Sequence, residues 1–398
     1  MNTYSSNDFI TEPIVKQFAT ELQGVYDVAV IGGGLAGLSL SIQLVNAGYS
    51  VVLFEKEKYP FHRVCGEYIS MESWNFLKNL GYPLSDMDLP LIKKLLVSAP
   101  DGTFIEQDLP LGGFGISRYK IDHEMARLAQ SNGVHLLEEK KVTSVIFNEE
   151  CFNIYCSRLQ YQAKIVCGAF GKRSNLDIKM KRSFAYKKIG LLNNFIGVKY
   201  HIKTNFPADT IALHNFQDGY CGISRIEDDK YCLCYLTTAK NLRMNDNSLT
   251  SLEEKVLQKN PFLKRIFKQS RVLYQAPLTI SQISFENKSQ VENHILMVGD
   301  AGGMITPLCG NGMSMALHAS KIAAELIIRF LSATITRQQL EENYVEQWNR
   351  LFKQRLHTGR IIQRLFGKEW ITNVFITMMK PFPKFVSYLI RQTHGDPF

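Results

Sequence analysis

Three glycines stand at fixed spacing near the start of the chain, in Gly32-Gly-Gly34-Leu-Ala36-Gly37, and a carboxylate follows at Glu55. An apolar run, Val28 to Ile31, leads into the glycines. Leu38 to Ala47 reads as a helix closed by Gly48, and Ser50 to Phe54 is a second apolar run. Strand, turn, helix, strand and acid in this order predict a site that cradles a diphosphate. Gly32 permits the tight turn, Gly34 lets backbone approach the phosphates, and Gly37 lets helix and strand pack closely. The helix start adds free N–H groups and a partial positive charge. Glu55, with Lys56 after it, ends the second strand, where a carboxylate can accept both ribose hydroxyls and repel a 2′-phosphate. The spacing therefore predicts dinucleotide binding by Gly32, Gly34, Ala36, Gly37, Glu55 and Lys56.

A second group of residues of this kind lies far downstream. Ile295 to Val298 reads as a buried strand that ends at Gly299-Asp300. Asp300 is placed to accept hydrogen bonds from a ribityl or ribose hydroxyl. A Gly/Pro-rich loop containing Gly310 follows, and then a helix from about Asn311 to Leu331. Its first N–H groups, at Gly312 and Met313, can stabilise negative charge on a flavin ring.

Together the two motifs resemble the FAD-binding superfamily of group A flavin monooxygenases and geranylgeranyl reductases. The resemblance runs from about Tyr26 to Leu331. It implies a Rossmann-like FAD-binding domain of the p-hydroxybenzoate hydroxylase type, α/β in this part and α+β overall, with an antiparallel-sheet substrate domain. It also implies that Asp300 binds the ribityl chain. Phe61-His-Arg-Val-Cys-Gly-Glu-Tyr-Ile-Ser70 is similar to the C-G-(G/E) segment of geranylgeranyl reductases. That likeness puts Cys65 and Gly66 beside the flavin, with Cys65 as the one candidate catalytic side chain. Arg63 is assigned to the cofactor as well, a plain surface position being the alternative. Ile116-Ser-Arg-Tyr-Lys-Ile-Asp122 resembles an R-x-x-x-D element, which implies that Arg118 contacts the FAD phosphates or ribityl. It also implies a backbone contact from Val142 to adenine.

The chain departs from these families at specific places. Gly168-Ala-Phe-Gly carries Phe170 where group A hydroxylases have an aspartate that helps place FAD and NADPH. Direct reduction by NADPH or NADH, as a transient reductant, is thereby put in doubt, and a separate electron-donor protein becomes an alternative. Of the reductases' Y-x-W-x-F-P motif only Tyr220 is kept, as a candidate substrate contact. Trp74, Trp348 and Trp370 are too far apart for the W-x-W-x-I-P motif of flavin halogenases.

The elements around these residues are legible in outline. Residues 1–25 read as a short extension that can form one helix before the fold begins. Residues 26–90, 118–175 and 276–331 are assigned to the FAD-binding domain, 91–117 to a hairpin of the substrate domain and 176–275 to its main sheet. Within the latter, strands are expected at 192–203, 209–216, 219–224 and 230–238. Residues 332–398 read as a helical region. There, and in the preceding turns from 321, 12 Lys/Arg face 6 Asp/Glu among large apolar groups. Such a tail can lie on an anionic membrane or simply cap the fold.

With 398 residues, 45% of them apolar and 21% charged, the chain suits two connected globular domains. No apolar run is long enough to span a bilayer. The eight cysteines show no C-x-x-C pair or zinc spacing, so no metal is expected and a reducing cytoplasm is the simpler setting, with the inner membrane face as a peripheral alternative. The net charge of +9 comes without a nucleic-acid motif, so no nucleic-acid partner is expected. The expected function is FAD-dependent oxidation chemistry on an apolar small molecule, first as a monooxygenase that hydroxylates or epoxidises. The alternatives are a geranylgeranyl-reductase-like enzyme that saturates C=C bonds of a lipid, and a non-catalytic FAD-binding partner protein.

Overall fold

The computed structural model describes residues 21–186, 193–307, 310–366 and 368–398. The helix considered for the N-terminal extension lies outside them. The chain opens with β1 (Glu21–Ile31), α1 (Leu35–Asn46), β2 (Val51–Phe54), β3 (Tyr68–Ser70), α2 (Trp74–Asn79), β4 (Leu91–Ser98) and β5 (Phe104–Gly115). It continues through α3 (Arg118–Ser131), β6 (His135–Leu137), β7 (Ser144–Asn148), β8 (Cys151–Cys156), β9 (Leu159–Gly168) and α4 (Asn175–Lys179). Next come β10 (Asn193–Lys203), β11 (Thr210–Phe216), β12 (Gly219–Arg225), β13 (Tyr231–Thr238), α5 (Ala239–Arg243), α6 (Leu249–Lys255), α7 (Pro261–Gln269), β14 (Arg271–Val272) and β15 (Leu278–Ser284). The last part holds β16 (Val291–Glu292), β17 (Ile295–Met297), α8 (Gly312–Leu331), α9 (Arg337–Leu365), α10 (Glu369–Met379) and α11 (Pro383–Arg391).

Two sheets organise these elements. The first has the order β16-β17-β9-β1-β2-β6, with β7 and β8 joined through β9. From β17 to β6 its neighbours are parallel. Val28, Val30, Val52 and Leu53 are fully buried, as strands covered on both faces require. The second sheet has the order β14-β10-β13-β12-β11-β4-β5-β3, with β15 added to β10. It is antiparallel except at β4 and β11, which run parallel. The four expected strands of the substrate domain match β10 to β13 within a residue.

Two boundaries differ from those expected. β1 reaches back to Glu21 and pairs with β9 from Leu159 onward, so residues 21–25 belong to the first sheet. β15 pairs with β10, so the second sheet ends after Ser284, whereas the sequence placed the return to the FAD-binding domain at 276. The cause of the second difference is visible in the residues: the strand alternates exposed and buried groups only weakly, and its partner lies far back in the chain.

The two glycine motifs meet in the core. Gly299 takes a φ of +65°, and a Cβ there would stand 2.9 Å from the Ala36 Cβ and 3.5 Å from the Ala316 Cβ. Helices α1 and α8 are thereby pressed together, and the buried Ser39 and Ser320 hydroxyls bond across the contact at 2.7 Å. Gly37 is equally confined, since a Cβ would reach 2.0 Å from the Gly32 carbonyl oxygen. Gly299→Ala combines left-handed strain with overpacking and is expected to cost about 2–4 kcal/mol. Urea unfolding should show a lower midpoint with an unchanged slope; a variant as stable as the parent would refute this account of the contact.

Candidate functional site

The glycine loop forms because β1 ends against β9 and α1 starts at once. Gly32 has a φ of +111°, and a Cβ there would lie 2.4 Å from the Ala169 carbonyl oxygen. Helix α1 begins after Gly34 with no side chain capping it and no acidic residue in its first turn. Its free N–H groups therefore remain available to an anion. Beside them stands Arg118, whose Nη2 lies 3.4 Å from the position of a Cβ on Gly34.

Arg118 is the point where distant parts of the chain converge. It opens α3 and forms a two-pronged bond with Asp122, at 2.8 and 2.7 Å. Burial alone would weaken its charge, but Asp122, Cys65 and Asp300 all favour it, so the guanidinium is held firmly cationic. Asp300 lies in the turn Gly299–Ala301 after β17. Its carbonyl accepts from Lys288 at 2.8 Å, and the next carbonyl, of Ala301, accepts from the buried Arg182 at 2.9 Å. Burial lowers the Lys288 amine to about 8, even with Asp300 nearby to support its charge.

The segment from Arg63 to Glu67 is held more tightly than any sequence pattern suggests. Lys199 donates to the carbonyl of Arg63 at 2.9 Å and Lys172 to that of Val64 at 3.3 Å. The Cys232 thiol donates to the carbonyl of Cys65 at 3.2 Å, and Ser224 to that of Gly66 at 3.2 Å. The Glu67 carbonyl accepts from the Ile116 N–H at 3.1 Å. Five successive carbonyls are thus fixed from five directions. A Cβ on Gly66 would meet nothing within 4 Å, so this rigid loop looks onto open space.

Beneath the loop is a buried charge cluster. The Glu67 carboxylate accepts from the Arg118 N–H at 2.9 Å, from the Lys199 ammonium, and from His201 Nε2 at 2.5 Å. Glu67 and Lys199 are fully buried. Burial alone would raise the Glu67 carboxyl, but Lys199 and His201 outweigh it and hold the group down to about 2. Beyond His201 the chain of hydrogen bonds continues outward. Tyr274 bonds to His201 Nδ1 and, at 3.1 Å, to His62 Nδ1, and Tyr119 stacks on His62. Burial, with Lys199 and His201 nearby, lowers the His62 imidazole to about 4, so it is neutral at pH 7.

Ligand-type atoms of Glu67, His201 and Cys232 come within 4.8 Å of one another. The donor chemistry does not favour a metal there. Lys199 already occupies the carboxylate, and burial followed by the Glu67 charge pushes the Cys232 thiol far above its usual range. A protonated thiol is a poor ligand.

The residues fit FAD by several independent features. Helices α1 and α8 both start without a side-chain cap, and the Asn311 Oδ1 just before Gly312 finds no hydrogen-bond donor among the described residues. Glu55 directly follows β2 beside the glycine loop, where it accepts from Gly33 N–H at 2.8 Å, Glu57 N–H at 3.1 Å and Arg63 at 3.0 Å. A carboxylate has about four acceptor positions, which leaves one for a ribose hydroxyl. Arg63 also bonds Asp122 at 3.1 Å and so links the Glu55 and Arg118 ends of the site.

Among the residues expected from sequence, the structure therefore gathers Gly32, Gly34, Ala36, Gly37, Glu55, Arg63, Cys65, Gly66, Arg118 and Asp300. Gly312 and Met313 begin α8, and Gly310 packs beside Tyr68 with a φ of +70°. Val142 is buried under the first sheet with Ala29, Ile31 and Phe54. Lys56 is exposed, and its ammonium pairs with Glu57 at 3.4 Å. Tyr220 sits in an apolar cluster with Leu213, Phe285 and Ile376 of α10. Sequence reasoning missed Tyr59, whose hydroxyl donates to the Gly33 carbonyl, along with Lys199, His201 and Tyr274. Two polar groups on one face of β10 were a signal, but alternation reads such a face as solvent-exposed.

Residues 26–176 match the family described as pyridine nucleotide-disulphide oxidoreductase. The chain is 25% identical over 360 residues to conditioned medium factor receptor 1 of Dictyostelium discoideum, covering 82% of this chain and 68% of that protein. It is 25% identical over 348 residues to digeranylgeranylglycerophospholipid reductase of Methanococcus vannielii, covering 82% and 83%. This chain is an FAD-dependent oxidoreductase. Its fold is that of a geranylgeranyl bacteriochlorophyll reductase-like protein of Thermoplasma acidophilum, with a TM-score of 0.75, 17% identity and coverage of 95% and 97%. A flavin-dependent brominase, Bmp2, shares it with a TM-score of 0.72, 22% identity and 93% coverage of each chain.

In this oxidoreductase the Glu67 cluster has a measurable cost of disruption. Glu67→Gln leaves Lys199 buried without its counter-charge and is expected to destabilise the fold by about 3–5 kcal/mol. In the parent, the folded Glu67 carboxyl lies below its unfolded value, so its contribution is complete above about pH 4.5. It is lost as the pH falls toward 2. Denaturant melts at pH 7 and pH 3 should show the gap between parent and variant narrowing at low pH; a constant gap would count against this assignment.

Proposed function

We propose that this oxidoreductase saturates carbon–carbon double bonds of an apolar, isoprenoid-type lipid, using FAD reduced by a separate donor. The observation that carries the reading is the Arg63–Glu67 loop, whose five anchored carbonyls present Cys65 and Gly66 to open space beside Arg118. It is the segment that resembles the reductases. The relative in Methanococcus vannielii, named as a digeranylgeranylglycerophospholipid reductase, supports the substrate class. Phe170 backs the Gly32 turn, where a Cβ would lie 2.9 Å from its Cα, and gives that position no carboxylate for placing a nicotinamide nucleotide.

Bound FAD supplies the electron pair. The protein's part is to orient and to exclude water. The open starts of α1 and α8 would hold FAD, together with Arg118 beside the glycine loop and Asp300 near the Arg118 charge. Tyr220, Leu213 and Leu236 are buried in an apolar cluster on the second sheet, and a hydrocarbon chain would enter beside it. The proton needed by a reduced double bond can enter through His62, Tyr274 and His201, since the Tyr274 O–H lies between two imidazole Nδ1 atoms. Tyr274→Phe should slow steady-state turnover by about 10- to 100-fold while leaving flavin reduction unchanged. Unaltered turnover would remove Tyr274 from the proton path.

A second reading, hydroxylation or epoxidation of an apolar molecule with oxygen, is favoured by the fold shared with the flavin-dependent brominase. One experiment separates the two. The purified flavoprotein is reduced without oxygen, by NADPH, NADH or dithionite, and offered a polyprenyl lipid, and the products are weighed by mass spectrometry. Addition of two hydrogens per bond under strict anaerobiosis supports the reductase. Incorporation of an oxygen atom only after air is admitted would overturn it in favour of the monooxygenase. Reduction by dithionite but by neither nicotinamide would support a separate donor protein.

A further inference from the structure

Helices α10 and α11 follow one another across the short turn Lys380–Phe382. The inner side of this pair is well packed. Ile376 is fully buried in the cluster with Tyr220 and Phe285, and Ile390 packs against Tyr68, Ile92 and Leu109. Its outer side is not. Trp370, Val374, Met378, Phe382, Phe385 and Tyr388 are six of the sixteen exposed large apolar side chains found among the described residues, and all lie within residues 370–388. Trp370 is 69% exposed and Met378 60%. The spacing 370, 374, 378 makes one stripe along α10, 385 and 388 share one face of α11, and Phe382 lies in the turn between them.

The charges around the stripe are predominantly positive. Lys368, Lys380, Lys384 and Arg391 are exposed, and Glu369 is the sole acidic residue in 368–391. A second copy of the chain on this face would bring like charges together, since a two-fold contact uses the same patch twice. An anionic surface with an apolar interior complements both features. Neither helix is long enough to cross a bilayer, and no helix of the described residues is long and apolar enough to do so. Trp and Tyr at the edge of such a face suit the headgroup level.

We infer that the outer face of α10 and α11 seats this protein on an anionic lipid surface, with Trp370, Met378, Phe382 and Phe385 entering the headgroup boundary and the flanking lysines meeting lipid phosphates. The inference rests on the surface itself and holds whichever reaction the flavin performs. It places the bilayer about one helix diameter, roughly 10 Å, from the cluster around Tyr220.

The test uses the full chain with bound FAD and vesicles of phosphatidylcholine with or without phosphatidylglycerol. Co-sedimentation with the anionic vesicles, weakened by salt, and a blue shift in tryptophan emission that Trp370→Phe abolishes are expected. Met378→Glu with Phe385→Glu should reduce binding at least tenfold, and Lys380→Glu with Lys384→Glu should do so for the anionic vesicles alone. Both pairs are exposed, and retained flavin absorbance checks that they fold. Absence of binding at low salt, or equal binding by the Met378/Phe385 variant, overturns the inference. So does a dimer in light scattering that this variant breaks without any vesicle binding, which would assign the face to a second copy.

Discussion

The buried contact between Glu67 and Lys199 is the constraint on which the site depends. Two charges without solvent are costly, and the arrangement survives because every partner is in place. Lys199 gives one hydrogen bond to the Glu67 carboxylate and another to the Arg63 carbonyl. The same carboxylate takes the N–H that opens α3 and the imidazole of His201. Glu67 itself adopts a φ of +56°, a conformation that side-chain-bearing residues avoid. Its three donors offset that strain. One carboxylate thus fixes the loop carrying Cys65, the start of the helix carrying Arg118, and the strand β10 of the second sheet.

This explains why charge was placed where apolar packing would have been simpler. Apolar residues of similar size could fill the space, but they could not hold a run of backbone carbonyls at defined positions. The loop at residues 63–67 has no regular structure to satisfy its own polar groups, so its neighbours must do so. Lys172, Ser224, Cys232 and Lys199 each supply one donor. Rigidity of this loop is therefore built from side chains of four separate segments, and it leaves Gly66 free to face open space.

Much of the first sheet was legible because its signals are local. Gly32, Gly34 and Gly37 state the turn, Val28 to Ile31 states a strand buried on both faces, and Gly299-Asp300 states where another strand stops. Strands β10 to β13 were legible from β-branched and aromatic residues between turn signals. What could not be read depends on long-range pairing. Lys199 and His201 alternate with Val198, Tyr200 and Ile202, a pattern that normally marks a solvated face. Here that face is covered by the 63–67 loop, and only the fold reveals the carboxylate waiting there. The return of β15 to β10 is of the same kind. The tail was ambiguous for a different reason: sequence shows an amphipathic helix but not which of its apolar residues find an inner partner.

The contact of Gly299 with Ala36 and Ala316 has a consequence for how the protein is made. The first glycine loop leaves the ribosome early, while α8, the helix that packs against α1, is made much later. Until α8 lies against α1, the nascent chain has only half a nucleotide site and an uncovered apolar helix face. Contacts between such distant segments form slowly. The completed cofactor pocket is therefore a late product of folding, and a newly made chain must be protected from aggregation over most of its length before FAD can stabilise it.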